Sequence, residues 1–340
     1  MRTTLIRLSL LGIAFQLLAG RSAAQLVPNL GGQRVGISAF QSLKIGVGAR
    51  GVAMGESFVA VANDVSAIYW NPAGLVQFHE NQAFAAHTDY VVDISHEYFG
   101  AVYHLSTQDA VGASFSSLHM SDMEVTTETQ PSGTGRYFTF GDIGVGLTYA
   151  RKMTDQFSFG ATVRYAEETL DVLKMQSVMF DIGTYYMTGS GSFRFAVVIS
   201  NFGNDVSPKG SVLLWDGSES TTFQSFSLPT MFRFGMAFEA IQNEEQRLTA
   251  AIELDHPNDN AEHVRVGLEW AWQEALFLRA GVKRTIGQPL FGVDATSDEE
   301  FALGAGFSAP LSITRVSADY AFVSFNRLGS VHRFSLSFTY

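Results

Sequence analysis

From residue 81 to the C-terminus, apolar residues recur at every second position, and this period most constrains what the chain can become. Phe157, Phe159, Ala161, Val163 and Tyr165 alternate with Ser158, Gly160, Thr162 and Arg164. The same rhythm runs through 193–197, 232–238, 264–270, 276–282 and 301–307. A period of two builds a sheet with one apolar and one polar face, which fits a membrane barrel or a soluble sandwich.

The spacing between the runs separates these alternatives. Strands are expected over 82–92, 96–106, 109–120, 136–151, 156–167, 175–187, 191–201, 228–240, 246–255, 262–272, 275–285, 299–308, 312–322 and 331–340. The connections after even-numbered strands are short, while several after odd-numbered strands are long, chiefly 121–135, 201–227 and 286–298. Short turns on one side and long loops on the other are the pattern of bacterial outer-membrane barrels. An even strand number returns both ends of the barrel to the short-turn side. The last strand, with Phe334, Leu336, Phe338 and a terminal Tyr340, fits such a barrel.

Composition agrees. Residues 1–24 read as a secretory signal: Arg2 and Arg7, an apolar stretch from Leu8 to Ala19, then Ser22, Ala23 and Ala24. Its removal leaves 19 Lys and Arg against 33 Asp and Glu, a formal charge of −14, which argues against nucleic acid as a partner. With no cysteine there is neither a disulfide framework nor a lipid-anchored cysteine. After the leader no apolar run is long enough for a membrane helix.

Residues 25–45 read as an extended periplasmic arm and 46–80 as a plug, or hatch, rich in small residues, inside the barrel of 81–340. The expected fold is all-β: one antiparallel transmembrane barrel of about 14 strands. Gly46, Gly48 and Gly51 spell a dinucleotide-binding fingerprint, but no buried strand precedes them and no βαβ unit follows. Close packing explains them better. Trp70, Asn71, Pro72, Ala73 and Gly74 end the plug in a turn and are its candidate gate.

If the apolar parity faces lipid, the opposite parity places Arg164, Arg194, Arg233, Arg265, Arg279, Glu239, Glu253 and Glu269 in the lumen. They form either a conduction path or ion pairs against the plug, with Glu56 and Asp64 as plug-side partners; the apolar plug favours the second. The histidines, including His87, His96, His104 and His119, show no metal-ligand spacing, so no metal or cofactor is expected. Asp255 to Asn260 reads as a capped turn rather than a calcium loop. No GxSxG occurs, and no enzyme is expected. In the longest loop Leu213, Leu214 and Trp215 make an apolar patch, either folded down as a lid or offered to a partner.

Several of these stretches resemble the PorV/PorQ family: 48–51, Met54 with Gly55, 58–64 and 67–74 in the plug, then 200–203, 228–230, 255–260, 278–281 and 329–335. The likeness runs over essentially the whole mature chain. It implies a barrel of the wider FadL group in a Gram-negative outer membrane, with both termini periplasmic. It also implies a part in type IX secretion and cell-surface attachment, binding cargo proteins or secretion components through extracellular loops. The FadL likeness implies the alternative, passage of hydrophobic small molecules through a hatch-gated lumen, with Asn71, Pro72 and Ala73 matching the FadL-type hatch motif.

Overall fold

The computed structural model describes residues 36–214, 216–286, 301–325 and 328–340. The signal segment, the first part of the arm and Trp215 lie outside the described residues.

The described residues form a closed antiparallel barrel of 14 strands. In chain order these are β1 (Gln82–Asp89), β2 (Ile94–His104), β3 (Asp109–Met120), β4 (Phe140–Lys152), β5 (Phe157–Leu170), β6 (Leu173–Met187) and β7 (Arg194–Gly203). They continue as β8 (Met231–Gln242), β9 (Gln246–Pro257), β10 (His263–Trp272), β11 (Leu276–Thr285), β12 (Ala302–Leu311), β13 (Thr314–Ser324) and β14 (Ser330–Thr339). Each strand pairs with its neighbours in sequence, and β14 closes on β1 from Gln82 opposite Thr339 to Asp89 opposite His332. Closure leaves no open edge. The expected strands agree with these to within four residues. The largest offset is at β4: Tyr137 and Phe138, assigned to it from sequence, instead pair with Met123 and Glu124 as a hairpin above the barrel.

Alternation decides what each face meets. On β5, Phe159, Val163 and Tyr165 are exposed while Ser158, Thr162, Arg164, Ala166 and Glu168 are buried. On β6, Val178, Phe180 and Ile182 point out and Ser177, Met179 and Asp181 point in. An apolar outer surface around an inner face of small and charged residues is the inverse of a water-soluble barrel and suits lipid outside. A charge placed on that surface should be costly. Leu147, 67% exposed on β4 between Val145 and Tyr149, is a suitable site. Leu147→Arg is expected to lose about 2–4 kcal/mol of folding stability in lipid vesicles by guanidinium titration. An unchanged midpoint would mean that this face does not meet lipid.

Residues 37–80 run from the long-loop rim into the lumen and fill it. They include two short helices, α1 (Ala49–Ala53) and α2 (Ala67–Trp70), and 3-10 turns at Gln41–Lys44 and Pro72–Val76. Phe58 to Ala62, ambiguous in sequence, forms a helical turn, with the Ala62 N–H bonding the Phe58 carbonyl. Met54, Phe58, Ile68, Trp70 and Leu75 are fully buried. The segment touches opposite walls: Ala49 N–H reaches Ser335 on β14, Phe58 N–H reaches Glu253 on β9, and Gln77 reaches Ser158 on β5.

Its direction differs from expectation. The arm was placed on the short-turn side, but residues 36–45 lie at the long-loop rim. Ser38 bridges Ser227, Phe40 N–H bonds Glu168 at the upper end of β5, and Lys44 pairs with Asp259 in the β9–β10 connection at 2.9 Å. The cause is a prepared seat: Ala39 and Phe40 bury themselves among Ala166, Met175, Met179, Val206 and Leu228. From there the chain descends to the short-turn rim, where His104 meets the Leu75 carbonyl and β1 begins.

Candidate functional site

Two regions combine chemistry with position: the interface between plug and wall, and the long-loop rim.

The interface is built from charged residues on the inner parity. Arg265 lies between three carboxylates, 2.7 Å from Asp255, 3.3 Å from Glu56 and 3.5 Å from Glu253. Lys283 lies 3.6 Å from the same Glu56 carboxylate, so two cations of the wall face this plug residue. Glu253 also accepts the N–H groups of Phe58 and Val59 at 3.0 and 3.1 Å. A second network runs Arg50–Glu269–Arg279–Asp319, with Arg50 also held by Asp64. Arg194 pairs with Glu239 and donates to the Ala60 carbonyl, and Arg164 pairs with Asp181 and Asn201. Arg233 stacks over Trp70 and Tyr69, 5.5 and 5.9 Å from their ring centres. All eight lumen charges named from the sequence therefore face inward; seven contact the plug or one another, and Arg164 is held by Asp181 and Asn201 of the wall.

The candidate gate residues are also brought together. Trp70 donates to the Val47 carbonyl and packs edge-on against Phe58 and Tyr69. Asn71 donates to the carbonyls of Val59 and Thr184 and accepts the Ala73 N–H. Pro72 and Ala73 run against Gly160 of β5, and Gly74 against the Ala62 carbonyl, where no side chain would fit. Asn71 thus ties the turn to both plug and wall.

Sequence reasoning missed some participants. Arg50 is the only arginine of 46–80, and that singularity was its available signal. Asp255 ends the expected strand 246–255 and opens the expected turn; β9 continues to Pro257, and the carboxylate faces inward onto Arg265. Lys44 and Asp259 carried no periodic signal. Among the described residues no group of three or more His, Cys, Asp or Glu could hold a metal ion.

Of the cavities bordering the plug, two open at opposite rims. One of about 350 Å³ opens at the long-loop rim between Tyr90, Phe140, Phe325, Lys283 and Arg333. Another of about 240 Å³ opens at the short-turn rim among Arg50, Arg247, Asp319 and Arg315. They share no lining residue, and the fully buried Phe58 and Trp70 belong to neither.

At the rim, Val212 and Leu213 pair with Glu219 and Ser220 in a hairpin. Leu213 is 69% and Leu214 42% exposed, so these two are not folded down as a lid. Trp215 lies outside the described residues.

A closed 14-strand meander with an apolar outer belt, a charged inner wall and a filled lumen defines an outer-membrane β-barrel. Residues 30–257 match the family model of type IX secretion system protein PorV, and the chain belongs to that family. No curated protein matches it in sequence. Among solved structures it is similar to the Pseudomonas putida toluene transporter TodX (TM-score 0.55, 13% identity, covering 84% of this chain and 97% of that one). A Pseudomonas aeruginosa FadL homologue is similar at TM-score 0.55 and 14% identity, covering 86% and 98%. The Ralstonia pickettii toluene transporter TbuX follows at 0.54 and 11%, covering 87% and 97%. At these identities the likeness concerns the fold.

Proposed function

We propose that this barrel serves type IX secretion without catalysing a reaction, binding secreted cargo or secretion components at its long-loop rim. In this reading the long loops are extracellular and both ends of the barrel are periplasmic. The observation that carries it is the contrast between the two regions. The lumen is packed and ion-paired from wall to wall, whereas the rim presents an apolar hairpin with no cover among the described residues. A filled pore conducts poorly, and an exposed apolar patch marks an interaction surface.

Hydrophobic transport is the second reading. It draws on the toluene-transporter fold and on the apolar side of the 350 Å³ cavity. It requires Asn71 and its neighbours to move, since the two cavities do not meet.

One experiment separates them. Residues 211–220 are replaced by a short glycine–serine turn, and the protein is purified from its own outer membrane with bound proteins and lipids identified. The expected result is a normally folded barrel whose secreted-protein partners fall by about tenfold, as for loss of a hot-spot cluster. Unchanged protein partners would defeat the hairpin's role. A bound hydrocarbon or fatty acid with no protein partner would favour transport.

A further inference from the structure

We propose that the two hairpins flanking the β5–β6 turn form one docking surface whose partner is a basic protein face carrying apolar anchors. This rests on the secretion reading above and adds the chemistry of the partner.

The hairpins belong to the connections 121–139 and 204–230, and both lean on the same turn. On one side the Asp171 N–H bonds the Thr139 carbonyl and Arg136 pairs with Asp171 at 3.3 Å. On the other, Lys174 and Lys209 exchange backbone hydrogen bonds of 2.9 and 2.8 Å. The surface is therefore one piece and not two independent loops. Along it Met123, Tyr137, Val172 and Leu213 are exposed.

The same two connections carry six carboxylates. Asp122, Glu124, Glu128, Asp205, Asp216 and Glu219 are all exposed, and no ion pair is formed by any of them among the described residues. Asp216 accepts the Ser218 N–H and hydroxyl, which push its carboxyl below the usual range and keep it charged. The positive groups in the same connections are Arg136, already paired with Asp171, and Lys209.

Charge on this scale selects the partner. Another acidic surface, or the phosphate groups of a lipid layer, would set like charges against one another and be repelled. A face rich in Lys and Arg is attracted, and its encounter is accelerated at low ionic strength. The apolar strip then supplies holding energy that salt does not screen. The two parts predict separable behaviours: the carboxylates govern salt dependence, and Val172 with Leu213 govern the residual affinity.

The test uses the full-length protein in lipid nanodiscs and, as probe, the purified C-terminal domain of a protein that the same cells secrete by the type IX route. The acid variant carries Asp122→Asn, Glu124→Gln, Glu128→Gln, Asp205→Asn, Asp216→Asn and Glu219→Gln, exposed near-isosteric changes that leave the fold alone. Wild-type affinity is expected to fall by about tenfold between 50 and 300 mM NaCl, as the screening length shortens. The acid variant is expected to bind about tenfold more weakly at 50 mM and to show little salt dependence. Val172→Ser with Leu213→Ser is expected to keep the salt slope and lose affinity at every salt concentration. Wild-type binding that ignores both salt and the acid variant would overturn this inference and leave the secretion reading standing. No binding by wild-type barrel at any salt would overturn the secretion reading and the inference with it.

Discussion

Glu253→Ala is expected to release the plug from the β9 side of the barrel and to lower stability by about 3–5 kcal/mol, the cost of removing one partner from a buried ion pair. Glu253 is 1% exposed. One of its oxygens accepts the N–H groups of Phe58 and Val59, and the other lies 3.5 Å from Arg265. Truncation leaves two backbone donors without an acceptor and removes one counter-charge from a buried guanidinium. Glu253→Gln keeps an amide oxygen for the two N–H groups and loses only the charge, so a smaller loss is expected. Two readouts check this. The temperature at which the barrel unfolds in SDS should fall in the order Gln then Ala. Trypsin should cut after Arg50, which in the wild type is held between Asp64 and Glu269. If both variants melt like wild type with Arg50 still protected, the ion pairs at the plug are incidental to its seating.

The difference between what sequence foretold and what it did not follows from the kind of constraint involved. The strands were readable because lipid and lumen impose opposite demands on alternate residues, and both demands are written locally. Phe159 must be apolar and Arg164 must face inward whatever the rest of the chain does. The plug was readable as a packed segment because Gly46 to Gly74 is too small and too apolar for a strand of that wall. Its direction was not readable. Whether residues 36–45 sit high or low depends on Glu168 and Asp259, far away in sequence, and on a pocket assembled from β5, β6 and the long loop. Such seats leave no period. The same holds for Arg50, whose importance arises from its reach to Glu269 on β10. The extension of β9 past Asp255 was hidden for a related reason. Its neighbours His256, Pro257 and Asn258 look like a turn, yet the partner strand β10 extends far enough to pair Asp255 with His263. Strand ends are decided by the partner as much as by the residue itself.

Gly281→Val is expected to have the largest effect on the lumen while leaving the wall nearly intact. Gly281 lies on β11 with its inner face against the backbone of Met54 and Gly55, so close that an added Cβ would land on main-chain atoms. The approach is mutual: a Cβ on Gly55, whose φ is +63°, would meet the backbone of Val282 at 2.6 Å. Gly267 on the neighbouring strand meets the same Met54 backbone. Overpacking a core ordinarily costs about 1–3 kcal/mol because side chains can turn aside, but here the obstacle is backbone and cannot. The plug must therefore shift as a body, and that shift also draws Glu56 away from Arg265. The wall should survive, because β11 keeps its ladder with β10 through Gly267 opposite Gly281. The expected product is a closed, SDS-resistant barrel in which the two cavities join. It should show increased single-channel conductance in planar bilayers and a plug open to trypsin at Arg50. Gly144→Ala is the matched control, since its Cβ comes close only to the movable Ser116 hydroxyl and its other neighbours, including the Tyr165 carbonyl, lie at ordinary contact distance. If Gly281→Val conducts no more than that control, the plug tolerates displacement and the tight β11 contact does not seal the lumen. If it conducts and the rim still binds cargo, then sealing and recognition are separate properties, one held by the inner wall and the other by the loops.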